Sequence, residues 1–229
     1  GKTRLARRLA AVVLGLNRVQ CENREKVEER LKNGEEAERF KMVVFHPSYE
    51  YDQFIGGLTV DADAGELSYK QQVGPFLRLC QHAGEHPTLK HILLIDEINR
   101  GNLPKLMGEL LYAIEYRGSP VTLSFAWSEG PLVVPKNLYL VATMNSSDRS
   151  IGHIDVATRR RFSHFHLTPD ENVVTRVWTE DFEDRRDTGK KLAAVMRAVN
   201  DALARVQSED LDDLGVRQSY FLPHRSIEP

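Results

Sequence analysis

Residues 91–97 read HILLIDE, an apolar run of strand length that ends in two adjacent acids. A continuous rather than alternating apolar run marks a strand covered on both faces, as in a parallel sheet flanked by helices. In the wider word LLIDEIN, residues 93–99, Asp96 and Glu97 stand where that strand runs out into the crevice at its carboxyl end. Two readings fit such a pair. It caps the following helix, or one carboxylate orients Mg²⁺ while the other polarises water.

A second apolar strand, LYLVATMN at 138–145, ends on Asn145. An amide there can hold an attacking water against a terminal phosphate, a task that neither acid performs alone. KMVVFH at 41–46 reads as another short buried strand, and helical stretches separate all of these. Strands alternating with helices imply an α/β fold with a mostly parallel sheet, whose ligands sit at the carboxyl ends of the strands.

The chain opens GKTRLARRLA, and Gly1, Lys2 and Thr3 match the last three residues of the phosphate-binding loop GxxxxGK[ST]. That loop works by aiming backbone N–H groups and a helix N-terminus at phosphate oxygens. A helix does follow: Leu5, Leu9, Val12, Val13 and Leu16 recur at helical spacing, with Arg4, Arg7 and Arg8 on the other face. Because the first residue is Gly rather than Met, the sequence is read as a piece of a longer protein, with a strand and most of the loop upstream. Residues 1–229 alone are therefore expected to bind nucleotide poorly. Further on, ATRRRF places Arg159, Arg160 and Arg161 at the end of a short helix around 153–160. Such a cluster is a solvated basic turn or, since arginine suits bidentate phosphate contacts, a neutraliser of charge on a transferring phosphoryl group. The order GKT, Asp-Glu, Asn, Arg cluster favours a nucleoside-triphosphate hydrolase over any bland reading of its members.

Other segments are expected to serve these. The charged stretch 22–40 reads as a solvated helical or irregular insert without chemistry, 68–84 as a helix, and 102–117 as a helix with Asn102 as cap and Pro104 in its first turn. VTLSFAWSEGPLVV at 121–134 reads as an inserted β-hairpin around Glu129-Gly130, and FSHFHL at 162–167 as a strand closed by Pro169. From 170 to about 207 an amphipathic helical pattern carries Leu192, Val195, Met196, Val199, Leu203 and Val206. The division is thus an α/β core over 1–169 and a helical lid over 170–229. His82 and His86 lie four apart but flank a glycine and lack an HExxH acid, so they are assigned to a solvated helix end. His164 and His166 are assigned to a partly buried strand face, and Trp127 to packing.

Composition sets bounds on all this. The chain has 229 residues, enough for a large domain with a small companion, and 41% hydrophobic residues, enough for a core. Its 31 Lys and Arg against 33 Asp and Glu give a net charge of −2, which is no electrostatic footprint for nucleic acid. Cys21 and Cys80 have neither metal spacing nor a disulfide framework, which fits the cytoplasm. LAAVVLGL at 9–16 is far short of the ~20 apolar residues of a membrane span.

Four longer words narrow the class. FHPSYEYDQFIGG (45–57), LIDEINRGNLPKLMGEL (94–110), MNSSDRSIGHIDVATRRRF (144–162) and SYF (219–221) resemble the McrB family, the GTP-dependent motors of modified-cytosine restriction. The usual family word MNTADR is here MNSSDR, which keeps Asn145, Asp148 and Arg149. The resemblance implies an AAA+ P-loop NTPase core, an inserted hairpin and a C-terminal helical lid. It implies GTP (or ATP) and Mg²⁺ as cofactors, with Gly1, Lys2, Thr3 and Asp148 on the nucleotide and Thr3 and Asp96 on the metal. Glu97 is then the water-activating acid, Asn145 the first sensor and Arg160 the arginine finger, with Arg149 and Arg161 as close alternatives. Many relatives carry Gly-His before SYF where this chain has Arg217-Gln218, and Arg217 is assigned to the surface rather than to a phosphate sensor. The implied partners are a homo-oligomeric ring, a hexamer, a McrC-like nuclease subunit, and DNA read by a domain absent from this chain. The competing class is a MoxR-like remodelling chaperone that uses ATP; MNSSDR and RRRF favour the restriction motor.

Overall fold

The computed structural model describes residues 1–34, 36–61, 68–125, 130–145, 154–181, 186–205, 216 and 218–222. The elements are α1 (Lys2–Leu14), α2 (Arg18–Glu22), α3 (Arg24–Asn33), β1 (Phe40–Val44), α4 (Tyr51–Phe54), β2 (Gly56–Asp61) and β3 (Ser68–Val73). They continue with α5 (Pro75–Glu85), β4 (His91–Asp96), α6 (Leu103–Glu115), β5 (Pro120–Val121), β6 (Leu132–Val133), β7 (Leu138–Ala142) and α7 (Val156–Arg159). The last two helices are α8 (Glu171–Asp181) and α9 (Arg186–Arg205). The chain divides into two compact units, Gly1–Ser163 and His164–Pro229.

In the first unit β1, β4 and β7 form a parallel sheet with β4 in the middle. Val44 pairs with Asp96, and Ile95 with Ala142, so the carboxyl ends of the three strands finish almost level. The central position of β4 explains its unbroken apolar run, because both of its faces are covered. Ile92 and Leu94 pack with Ala6, Ala10 and Leu14 of α1 and Leu31 of α3, while Leu93 and Ile95 pack with Phe76 and Leu79 of α5 and Leu106 and Leu110 of α6.

The buried face of α1 is not the one that periodicity selects. Ala6, Ala10, Ala11 and Leu14 are buried, whereas Leu5 and Leu9 are each 49% exposed and Val12 is 53% exposed. Small side chains on the sheet side let the helix backbone lie close to β4, and hydrophobicity alone does not report that. Arg7, placed on the other face from the leucines, is partly buried, with Nη2 donating to Met42 Sδ at 3.1 Å and Nη1 3.3 Å from Glu28.

The expected helix over 68–84 is half strand. Residues Ser68–Val73 form β3, antiparallel to β2, and α5 begins only at Pro75 with Gly74 as its N-cap residue. Proline at the first helical position suits a helix start, and the residue before it is pushed to extended geometry. The expected strand over 162–167 is absent: Phe162 packs on the first unit's core, residues 163–167 join no described sheet, and Phe165 is 88% exposed. His164 and His166 are exposed rather than partly buried. Alternating aromatics supply β-propensity, but the described sheet ends at β7, whose ladder is with β4 alone.

Helix α6 follows its sequence signals, with the Asn102 side chain accepting from Lys105 N and Pro104 in the first turn. Of the 121–134 segment, Val121 pairs with Leu132 at the two-residue β5–β6 ladder; Trp127 and Glu129 lie outside the described residues. In the second unit α8 and α9 pack through Val174, Ala193 and Met196, with Trp178 donating its indole N–H to Phe221 O at 2.8 Å. Val195 and Val199, expected on the packed face, are exposed, so the buried stripe of α9 is narrower than its 3.6-residue pattern.

Candidate functional site

The site grows from the level ends of β4 and β7 together with the first turn of α1. Thr3, on that first turn, donates its hydroxyl to Asp96 Oδ1 at 2.9 Å and to Oδ2 at 3.2 Å. Lys2 Nζ donates to Met144 O at 2.7 Å and to Asn145 Oδ1 at 3.0 Å. Asn145 Nδ2 donates to Glu97 Oε1 at 2.5 Å. The residues singled out from separate parts of the sequence, Lys2, Thr3, Asp96, Glu97 and Asn145, thus form one hydrogen-bonded cluster, with Gly1 as the N-cap residue of α1 beside them.

Backbone geometry sets Glu97 apart from Asp96. Glu97 has φ 56° and ψ 45°, the left-handed region, and is the one described non-glycine residue with positive φ. That turn takes the chain out of the strand into a 3₁₀ segment, Ile98–Arg100. Non-glycine residues sit in that region at an energetic cost, and such outliers cluster at working sites. Arg100 Nε lies 3.3 Å from Glu97 Oε2, and Asn99 Nδ2 donates to Asn145 O at 3.0 Å.

Thr143 is a site residue that the sequence reading missed. Its side chain donates to Asp96 Oδ1 and accepts from Glu97 N at 3.3 Å. A threonine two positions before the strand-ending Asn is the only signal that could have pointed to it, and threonine in a strand ordinarily reports β-propensity.

The donor set suits Mg²⁺, which takes hard oxygen ligands and is usually held by one or two carboxylates plus hydroxyl, water and substrate phosphate oxygens. Asp96 and the Thr3 hydroxyl supply such oxygens, and Glu97 Oε2, ion-paired with Arg100, is buried and accepts no hydrogen bond. Among the described residues no three His, Cys, Asp or Glu side chains converge as an all-protein metal cage would require. The first turn of α1 adds its amide groups and the Lys2 ammonium, so cationic and anionic partners both face this corner.

The arginine cluster sits apart, on α7 and just after it. Asp155 caps α7, accepting from Thr158 N and Thr158 Oγ1 at 2.8 Å each, and these bonds hold its carboxyl below the usual aspartate value. Arg161 is consumed internally: Nε donates to Leu111 O at 2.9 Å, Nη1 to Ala157 O at 2.6 Å and Nη2 to Glu115 Oε2 at 2.5 Å. Arg160 is exposed at the C-terminal end of α7. Asp148, Arg149 and Arg217 lie outside the described residues.

His82 and His86, assigned above to a solvated helix end, belong to a cluster at the opposite end of the sheet. His82 Nδ1 is 2.8 Å from Nε2 of the buried His91, and His86 Nδ1 is 3.0 Å from His82 O.

A strand-end acid pair, an asparagine amide and a helix-borne Lys-Thr at the level ends of a parallel sheet make the pattern of a P-loop nucleotide-binding core. The chain belongs to the AAA domain family, dynein-related subfamily, whose family profile matches residues 1–162. Within that family it is McrB-like: over 174 residues it is 37% identical to the type IV methyl-directed restriction enzyme EcoKMcrB subunit of Escherichia coli K12, covering 74% of this chain and 33% of that one. It is also 26% identical over 164 residues to the type II restriction enzyme BsuMI component YdiS of Bacillus subtilis 168, covering 56% of this chain and 48% of that one. The chain therefore spans about a third to a half of the length of these curated relatives. No described helix is long and apolar enough to cross a membrane.

Proposed function

We propose that this chain is the nucleotide-hydrolysing core of a restriction motor, in which GTP hydrolysis drives DNA translocation with a McrC-like nuclease subunit. The observation that carries the reading is the convergence of Thr3 on Asp96 and of Lys2 and Glu97 on Asn145. Similarity to the two restriction components supports the biological setting, and the choice of GTP over ATP follows the McrB resemblance. The same reading makes 1–169 the core and 170–229 a lid, assigns the 121–134 insert to a hairpin, and takes the working protein as a cytoplasmic hexameric ring. DNA is then read by a domain outside this chain.

The chain's own residues divide the work by chemistry. Lys2, held here by Met144 O and Asn145 Oδ1, swings its ammonium to phosphate oxygens as these replace its carbonyl partners. Thr3 and Asp96 would hold Mg²⁺, which would supply charge neutralisation for the phosphate oxygens. Glu97 orients or deprotonates the attacking water, and Asn145 holds that water in line. Arg160 neutralises charge developing on phosphate held by the neighbouring subunit, while Arg161 fixes α7 against α6 so that Arg160 points outward. Asp148 is assigned to the nucleotide, and Arg149 is kept as an alternative finger.

The full-length protein tests this directly. Glu97→Gln is expected to retain nucleotide and lose turnover by about 10²–10⁴-fold, the size of a lost general base. Hydrolysis of GTP against ATP, with and without the nuclease partner, is measured alongside. Full turnover by Glu97→Gln removes Glu97 from the chemistry, and ATP preference moves the reading to the remodelling chaperones.

A further inference from the structure

We infer that Thr143 is the positioning residue that locks the Asp96–Glu97 pair, through a single hydroxyl bridging the carboxylate of one acid and the backbone of the other. The inference rests on the reading of those acids given above and adds to it the group that fixes their geometry.

Two backbone contacts from Thr143 bracket the dipeptide, and two from its side chain lie between them. Thr143 N donates to Ile95 O at 2.9 Å, just before the pair, and Thr143 O accepts from Ile98 N at 2.9 Å, just after it. Between these, the Thr143 hydroxyl donates to Asp96 Oδ1 and accepts from Glu97 N. Thr143 is only 9% exposed. A hydroxyl has one proton and two lone pairs, so it satisfies a carboxylate and an amide at once; valine of the same shape does neither.

The arrangement has a specific purpose at this place. The β4–β7 ladder ends at Ile95–Ala142, and Glu97 turns into the left-handed region immediately afterwards. Its N–H therefore leaves the sheet with no ladder carbonyl to meet, and a buried amide without an acceptor is costly. The Thr143 hydroxyl supplies that acceptor and so stabilises the turn that separates the two carboxyl groups. The Asp96 carboxylate, meanwhile, is held by two hydroxyls that both donate to Oδ1, Thr3 on α1 and Thr143 just after β7. Loss of the second leaves Asp96 free to rotate about a single anchor. Outer contacts of this kind orient ligands they do not replace.

The test compares Thr143→Val with Thr143→Ser in the full-length protein, with wild type and Glu97→Gln run in parallel. Thr143→Ser keeps the bridge and is expected to keep wild-type kcat and Mg²⁺ dependence. Thr143→Val is expected to lower kcat by about 10–100-fold, as for other orienting contacts around metal sites, with nucleotide affinity at saturating Mg²⁺ unchanged. Two further readouts do not depend on turnover. The Mg²⁺ concentration needed to bind a non-hydrolysable nucleotide analogue should rise, and the amide of Glu97 should exchange with solvent faster in Thr143→Val than in wild type or Thr143→Ser. If the valine variant does not fold, Thr143→Ala provides the same loss of hydroxyl without the extra methyl. Equal kcat, Mg²⁺ dependence and amide exchange in Val and Ser overturn the inference, as does equal impairment of both. A fully active Glu97→Gln control would instead overturn the underlying reading of the acids, independently of how Thr143 behaves.

Discussion

Asp96, Glu97 and Asn145 were legible because residue type and position spoke together: a polar group at the carboxyl end of an apolar strand has few purely structural reasons to be there. Thr143 was not legible, because what its hydroxyl meets depends on the β4–β7 register, which no local pattern encodes. His91 was hidden for a related reason, as the first letter of an apolar strand. It is fully buried, and its Nδ1 faces Leu89 O at 3.0 Å. A carbonyl only accepts, so Nδ1 carries the proton and Nε2 of the neutral ring accepts from His82. Burial holds His91 below the ordinary histidine value of 6.5, with the charges of His82, Arg39 and His86 pushing the same way. The unfolded chain thus binds a proton near pH 6.5 that the folded chain refuses until lower pH. Stability from this group is complete above pH 6.5 and declines as pH falls from there toward the depressed value. Denaturation curves between pH 8 and pH 5 should therefore show a wild-type decline that is shallower in His91→Gln. Parallel profiles for the two proteins would remove His91 as the cause.

At the scale of elements, β4 and α6 were readable because burial and capping agree with their local patterns. The β2–β3 hairpin was not, since the apolar spacing of α5 runs back into Ser68–Val73 and masks the break at Gly74-Pro75. Two glycines close the root of that hairpin. Gly56 has φ +141°, and a Cβ there would lie 2.4 Å from Gln72 O; at Gly74 it would lie 2.3 Å from Phe54 O and 2.4 Å from Phe54 C. Gly74 N also donates to Ile55 O at 2.7 Å, so the backbone has no room to retreat. Gly74→Ala should destabilise by about 1–3 kcal/mol, the usual range for forced overpacking. Gly108 makes the contrast. It lies within α6, and a Cβ there meets nothing within 4 Å. Gly108→Ala should stabilise by about 0.5–1 kcal/mol through lost unfolded-state freedom. Urea unfolding of both variants checks the pair, and a common sign for the two would show that space around the backbone does not govern either position.

For the whole molecule, the decisive question is whether a site is completed by its neighbour. The sequence offered Arg149, Arg160 and Arg161 for that role and could not rank them by contact. Arg161 spends all three guanidinium nitrogens on α6 and α7, which makes it an anchor, whereas Arg160 stands exposed one residue earlier. Arg160→Ala in the full-length protein should cut turnover by about 10³–10⁵-fold, the effect of losing an arginine finger. Arg161→Ala should lower turnover less and destabilise α7, since Glu115 and Leu111 O lose their partner. Mixing then separates cis from trans action. Arg160→Ala and Glu97→Gln subunits are each expected to be inactive alone. If Arg160 serves the next subunit's nucleotide, mixed rings contain interfaces that join an intact Glu97 site to an intact Arg160, and part of the turnover returns. If it serves its own, every site in the mixture still lacks one of the two groups. Turnover is read together with sizing that establishes mixed assemblies; no recovery in such assemblies moves the finger to Arg149 or places it in cis.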